Sequence, residues 1–171
     1  MQEKDTRSES GDFPAVGWWS SFHLLSRFVF HPLFRWTRGM TLGVRAMVID
    51  PEGRVLLVRH SYAPGWLFPG GGVERGETAM SSLERELREE ASVTLAGAPD
   101  LFGLYSNESY FRGDHIAFYV VRAFHRGDFH PNREILEARF FDSASLPRDT
   151  SAATQRRILE VQGGREKSPD W

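Results

Sequence analysis

Three glutamates stand close together near the middle of the chain: Glu86, Glu89 and Glu90. Residues three and four apart face the same side of a helix, so these carboxylates repel one another unless a cation lies between them. Hard oxygen ligands of this kind suit Mg²⁺ or Mn²⁺. A glycine-rich segment precedes them, and glycines such as Gly70 and Gly71 let the backbone approach phosphate oxygens closely. The spacing therefore predicts a divalent-metal site that acts on phosphate groups.

These carboxylates require a helix to position them. Thr78 carries a hydroxyl that can accept a backbone N–H, so we expect the helix to begin there. At about 100° per residue, one apolar stripe is formed by Met80, Leu83, Leu87 and Ala91. The opposite side, predicted to be solvated, carries Ser81, Glu84, Arg85 and Arg88. Glu90 falls about 20° from Leu83 on this wheel, which predicts a partly buried carboxylate that needs a compensating cation.

Glu77 and Arg85 supply a further pair of charges beside the cluster. Arg85 precedes Glu89 by four residues and lies near the turn that carries Glu77, so it is predicted to orient the acids rather than to bind substrate. Two plainer interpretations stay open at this point. A run of glutamates on a helix is usually a solvated face, and the glycines could form only a strand-to-loop turn. A turn alone, however, does not require the acids that follow it.

The complete pattern over residues 71–93 resembles the signature of the Nudix hydrolases. The matching positions are Gly71, Glu77, Arg85, Glu86, Leu87, Glu89, Glu90 and Val93. One position departs from the family pattern, because Ser92 stands where the family usually has glycine. That glycine ends the helix in a left-handed conformation, so serine is expected to cost about 1 kcal/mol there. No metal ligand is removed by this change.

The resemblance implies an α/β fold, a Nudix-type α/β/α sandwich with a mixed β-sheet. It also implies hydrolysis of a diphosphate bond in a nucleoside diphosphate linked to another moiety. By resemblance, Glu86, Glu89 and Glu90 hold Mg²⁺, or Mn²⁺ in its place. Glu86 is also the first choice for the base that takes a proton from water, while Glu77 and Arg85 hold helix and loop in register.

Substrate contacts are predicted from the glycine turn and from nearby aromatic residues. The resemblance implies a backbone contact from Gly71, and three rings could stack on a nucleobase: Tyr62, Trp66 and Tyr105. Individually, such rings more often pack in the core or on the surface. A loop acid is the second choice for the base or an extra ligand, and Glu134 and Glu137 are its candidates.

The pattern leaves the substrate open. ADP-ribose-like compounds, nucleotide sugars, nucleoside triphosphates, dinucleoside polyphosphates and RNA 5′ ends all contain the shared phosphate linkage. The alternative function is a catalytically silent Nudix-like module that binds nucleotides without turnover. The intact acidic cluster favours the enzyme.

Composition limits the other classes of function. With 171 residues and 40% hydrophobic content, the chain can bury one normal core. Lys and Arg total 21 against 23 Asp and Glu, so no general nucleic-acid binding is expected. The absence of cysteine excludes disulfides, thiolate zinc sites and a cysteine nucleophile. No apolar run of about 18 residues and no secretory signal are evident, so a cytoplasmic location is expected.

The chain is predicted to have three parts: a mobile tail over residues 1–14, a hydrophobic and aromatic helical extension over 15–39, and a Nudix domain over 40–171. The extension is expected to pack on the domain or on a second subunit of a homodimer, with contact to a membrane surface as the alternative. Two early strands flank a hairpin-like turn at residues 51–53. Later strands are expected at 101–106, 116–124 and 138–141, followed by a helix at 149–161.

Overall fold

The computed structural model describes residues 39–171; the predicted tail and all but the last residue of the predicted extension lie outside the described residues. Within them, the chain forms eight strands and two helices. The strands are β1 Thr41–Val48, β2 Val55–His60, β3 Trp66–Leu67, β4 Val93–Leu95, β5 Asp100–Ser106, β6 Asp114–Val121, β7 Phe124–Arg126 and β8 Ile135–Phe141. The helices are α1 Ala79–Ala91 and α2 Ala152–Val161.

Two three-stranded sheets form the centre of the domain. The first has the order β1-β6-β5, with β1 parallel to β6 and β5 antiparallel to it, so this sheet is mixed. The second has the order β3-β2-β8 and is antiparallel. Strands β4 and β7 form a separate antiparallel ribbon.

The hairpin-like turn predicted at residues 51–53 is present, and an antiparallel bridge joins Ile49 to Val55 across it. The Asp50 N–H donates to the Arg54 carbonyl, and Gly53 has a φ of 80°, so the chain does reverse here. The flanking strands then part: β1 pairs with β6, while β2 pairs with β3 and β8. Both strands are buried along most of their length, so each needs cover on both faces that a half-exposed two-stranded hairpin would not supply.

Alternation along the strands divides the core into two layers. Residues such as Val44 and Val58 face α1, where they pack with its buried residues Leu83 and Leu87. Their neighbours face the other way: Met47, Leu57, Phe118 and others pack with Ile158 of α2. Each helix therefore covers one face of the strand layer, giving an α/β/α sandwich.

Helix α1 begins and ends as its sequence predicts. Thr78 is the N-cap and accepts from the Ser81 N–H (3.0 Å), while Ser81 Oγ accepts from the Thr78 N–H (2.9 Å), which makes a reciprocal capping box. At the other end, Ser92 adopts the left-handed conformation with φ 53° and ψ 36°. Its hydroxyl also donates to the Asp128 carbonyl at 3.2 Å, a contact that glycine would lose.

Replacing Ser92 with glycine is expected to raise the melting temperature slightly. Relief of the left-handed strain, about 1 kcal/mol, exceeds the loss of one exposed hydrogen bond and the added freedom of the unfolded chain. The matched Ser92→Ala variant loses the hydroxyl but keeps the strain, so it should melt about 2–4 °C below Ser92→Gly. Thermal melts of the three proteins decide this. A Gly variant that melts below the Ala variant would contradict the strain argument.

Helix α2 lies within the segment predicted to be helical, and Ser151 caps it by accepting from the Thr154 N–H (3.1 Å). Ile158 is buried in the second core layer. No helix within residues 39–171 combines the length and the apolar character needed to cross a bilayer.

Candidate active site

The glycine segment lies along β1 as an extra strip of backbone. The Val44 N–H donates to the Gly71 carbonyl (2.8 Å), and the Ala46 N–H donates to the Pro69 carbonyl (3.0 Å). Gly70 has a φ of 137°, and a Cβ at this position would overlap the Val44 carbonyl oxygen. Only glycine fits there, because the absence of a side chain lets the turn pack directly against the backbone of β1.

Glu90 turns inward from α1 toward this turn. Its side chain is 7% exposed, and its Oε2 accepts the Gly70 N–H at 2.7 Å. Burial raises the pKa of Glu90 to about 7, and the Gly70 N–H offsets only part of that rise. His60 Nε2 lies 3.6 Å from Glu90 Oε1, but burial and the nearby Arg45 charge lower the pKa of His60. The two groups are therefore a buried contact and not a charged pair at neutral pH.

Arg85 contacts Glu77 and Glu86, as expected for a residue that orients the acids, and it does not lie on the solvated face where the helical wheel placed it. Its side chain is 23% exposed and donates to both carboxylate oxygens of Glu77, at 2.8 and 3.0 Å. A third donation goes to Glu86 Oε1 at 2.6 Å, and the Gly72 carbonyl accepts a fourth at 3.2 Å. The guanidinium beside Glu77 lowers the pKa of that carboxyl to about 2, so Glu77 stays ionised. The Arg85 guanidinium thus links α1 to the turn that carries Gly72 and Glu77.

The side chains of the three glutamates differ in how firmly the surrounding structure holds them. Glu86 is 12% exposed and lies directly against Gly71, where an added Cβ would overlap its carboxylate. Glu90 is held by the turn backbone. Glu89 is 61% exposed and its Oε2 lies 3.6 Å from Arg85 Nη1. Two ligand candidates are therefore oriented by the fold, and the third projects to solvent.

The donor set fits a hard divalent cation in its chemistry. All three candidates offer carboxylate oxygens from one helix, and the charge of Glu86 contributes to the raised pKa of Glu90, a repulsion that a cation would relieve. Within residues 39–171, no three acidic or histidine side chains already converge closely enough to bind one metal ion.

Tyr62 lies at the edge of this region. Its side chain is exposed, and its hydroxyl donates to Glu134 Oε1 at 3.2 Å, beside His60. Glu137, the other loop-acid candidate, lies between two cations instead: Arg59 at 3.4 Å and Arg139 at 3.5 Å. Of the two acids, Glu134 is the one associated with the glutamate cluster.

The structure corrects the prediction for the other two rings. Trp66 is 4% exposed and packs edge-on against Phe141, at a centroid distance of 4.6 Å. Tyr105 is 1% exposed and donates to Glu160 Oε2 at 3.0 Å. Burial and this hydrogen bond raise the pKa of Tyr105 to about 12. Both rings belong to the second core layer and neither is available to stack on a nucleobase.

Three residues near the cluster were not singled out from the sequence. His60 and Arg45 lie on strands that otherwise read as core, and a single charged residue in such a strand gives no indication of its role. Ser82 is fully buried and donates to the Gly72 carbonyl at 3.0 Å. A serine on the inner side of α1 could have indicated this contact, since a buried hydroxyl needs a hydrogen-bond partner.

Solved structures share this architecture. A NUDIX hydrolase from Nitrosomonas europaea superposes with a TM-score of 0.62 at 24% identity, covering 77% of this chain and 76% of that one. A MutT NUDIX hydrolase from Burkholderia pseudomallei gives 0.61 at 23% identity, over 71% and 97%. At these identities the likeness concerns the fold, and it confirms the predicted sandwich with its mixed sheet.

Curated relatives match shorter stretches. An RNA pyrophosphohydrolase of Halorhodospira halophila is 43% identical over 65 residues, which is 35% of this chain and 36% of the relative. An ADP-ribose pyrophosphatase of Methanocaldococcus jannaschii is 30% identical over 105 residues, 59% of this chain and 62% of the relative. The chain therefore spans less than two thirds of the length of either relative.

The match to a family as a whole is broader. A family model described as the NUDIX domain covers residues 39–162, most of the chain and all of the elements that build the site. With the acidic helix, the glycine turn and the shared fold, this match shows that the chain belongs to the Nudix family.

Proposed function

We propose that this protein is a Mg²⁺-dependent pyrophosphohydrolase that cleaves a diphosphate bond in a nucleoside diphosphate linked to another moiety. One observation carries the proposal: Glu90 is buried at the end of a glycine turn and accepts its backbone N–H, with Glu86 and Glu89 on the same helix. A purely structural helix gains nothing from a buried carboxylate beside a like charge. A divalent cation would offset the repulsion between these carboxylates, and the same cation would bind a phosphate anion.

Each residue has a distinct part in this proposal. Glu86, Glu89 and Glu90 would hold the divalent ion, which supplies charge neutralisation at the phosphates and activates water. Arg85 would keep Glu86 in place while its bidentate contact with Glu77 fixes the turn. By the family resemblance, the backbone at Gly71 would contact substrate phosphate oxygens.

The proton acceptor has two candidates. Glu86 remains the first by resemblance, and its Oε1 accepts from Arg85 at 2.6 Å. Glu134 is the second, being exposed and associated with Tyr62. Glu137 is the weaker candidate, since it lies on β8 rather than in a loop and is already paired with two arginines.

The substrate class follows from the linkage and from the relatives. Two relatives are named for RNA and for ADP-ribose. A 5′-triphosphorylated RNA end and ADP-ribose both contain a diphosphate bond next to a nucleoside. A screen of ADP-ribose, nucleotide sugars, nucleoside triphosphates and 5′-triphosphorylated RNA, with Mg²⁺ and with chelator, tests the proposal. Binding without products from any of them would identify the module as catalytically silent instead.

Metal and substrate are expected to bind cooperatively. Three repelling glutamates should hold Mg²⁺ weakly alone, and phosphate oxygens should complete its coordination. A nonhydrolysable diphosphate analogue should therefore tighten Mg²⁺ binding by about 5-fold to 150-fold, and Mg²⁺ should tighten the analogue by the same factor.

Calorimetric titrations in both orders measure this coupling. The Glu84→Gln variant is the matched control, since Glu84 is an exposed glutamate of the same helix and should keep the full coupling. An analogue affinity that is equal in chelator and in saturating Mg²⁺ would show that the glutamates and the diphosphate share no metal ion.

A further inference from the structure

The backbone that carries Glu134 is fixed from two sides. The Ser61 N–H donates to the Glu134 carbonyl (2.8 Å), and Ser61 Oγ donates to the Arg133 carbonyl (2.8 Å). From the other side, Asn132 Oδ1 accepts the N–H groups of Glu134 and Ile135, at 2.8 and 2.7 Å. With the backbone held in this way, the direction of the Glu134 side chain is the main freedom left.

Tyr62 restricts that freedom. Its hydroxyl donates to Glu134 Oε1 at 3.2 Å, and its ring lies on His60 with a centroid distance of 4.9 Å. His60 is itself buried and stands 3.6 Å from Glu90. A continuous set of contacts therefore runs from the acidic helix, through His60 and Tyr62, to Glu134.

The Glu134 carboxylate also lies within electrostatic reach of the cluster. Its negative charge contributes to the raised pKa of Glu90 and to that of Tyr62. Glu137 provides the internal contrast, because its carboxylate faces Arg59 and Arg139 instead.

We propose that Tyr62 is a positioning residue, whose hydroxyl holds the Glu134 carboxylate toward α1 so that Glu134 acts at the diphosphate of the substrate. The inference rests on the proposed function and adds to it a specific acid and the residue that orients it. The phenol ring stays in contact with His60, while the hydroxyl alone makes the bond to Glu134, so the two contributions of Tyr62 can be separated by Tyr62→Phe.

A double-mutant cycle tests the proposal. Tyr62→Phe should lower kcat about tenfold, the usual minimum for an outer partner of a catalytic group, with KM unchanged because the ring remains. In the Glu134→Gln background the same change should cost nothing further, since its target is already gone. In the Glu137→Gln background the full tenfold loss should return. An equal loss of kcat in the Glu134→Gln and Glu137→Gln backgrounds would overturn the proposal.

A second measurement needs no turnover. In metal-free protein labelled with ¹³C at tyrosine Cζ, Glu134→Gln should shift the Tyr62 resonance, assigned with Tyr62→Phe, whereas Glu137→Gln should leave it in place. A Tyr62 signal that ignores Glu134→Gln would also overturn the proposal. A wild-type protein without activity on any diphosphate would instead defeat the proposed function, and the labelled protein would still report on the contact.

Discussion

Glu90→Gln is expected to reduce turnover by about a hundredfold or more, since removing a ligand charge from a metal site forfeits roughly 3 kcal/mol of transition-state stabilisation. Glu89→Gln should have an effect of the same order, although that side chain is mostly exposed. Initial rates at limiting Mg²⁺ measure both. Glu84→Gln, an exposed change on the same helix, is the control and should keep the wild-type rate.

The same Glu90 variant should be more stable than wild type in alkaline chelator. Burial raises the pKa of Glu90 from 4.5 to about 7 in the folded protein. A raised carboxyl pKa stabilises the fold fully below the unfolded value, and that contribution is lost as pH rises toward and past 7. The neutral glutamine does not ionise, so the variant avoids the loss, which is on the order of 3 kcal/mol.

Urea unfolding of both proteins between pH 4.5 and pH 8, with chelator present, checks the sign. The stability of Glu90→Gln relative to wild type should increase steadily across that window, while Glu84→Gln should track wild type. A Glu90→Gln protein that loses both activity and alkaline stability would indicate a structural role for the carboxylate. Wild-type rates at limiting Mg²⁺ would remove Glu90 from the metal site.

Helix α1 could be derived from the sequence because its determinants are local. The cap at Thr78, the apolar stripe and the inward position of Glu90 all follow from the spacing of residues on one helix. The left-handed end at Ser92 followed from its place in the family pattern. Each of these depends on neighbours in the sequence, which is why each is visible there.

The remaining features depend on distant segments. The pairing of β1 with β6 and of β2 with β8 is not visible in the sequence, since an apolar strand shows that it is buried but not which strand lies beside it. Trp66 and Tyr105 looked like binding residues because an aromatic side chain has the same appearance in a pocket and in a core. The helical wheel places Arg85 on the solvated side because it omits the turn that folds back over α1, whereas the position of Arg85 relative to Glu77 and Glu89 indicates its contact with the acids.

Gly71→Ala is expected to lower turnover by about tenfold to a hundredfold with little loss of stability. The added Cβ would overlap the Glu86 carboxylate, which Arg85 holds in place at 2.6 Å, so one of the two must move. A displacement of about 1 Å in a catalytic group is enough for an effect of this size. The backbone of Gly71 does not occupy the left-handed region, so alanine can adopt it without strain.

The neighbouring glycine supplies the matched comparison. A Cβ at Gly72 would meet no atom within 4 Å, so Gly72→Ala adds the same methyl group to the same turn without touching Glu86. Rates and melting temperatures of the two variants therefore separate a displaced carboxylate from a general disturbance of the turn. If Gly72→Ala loses as much activity as Gly71→Ala, the contact between Gly71 and Glu86 is not what the site depends on. If only Gly71→Ala is impaired while both melt close to wild type, the absence of a side chain at position 71 is what allows Glu86 its place beside the turn.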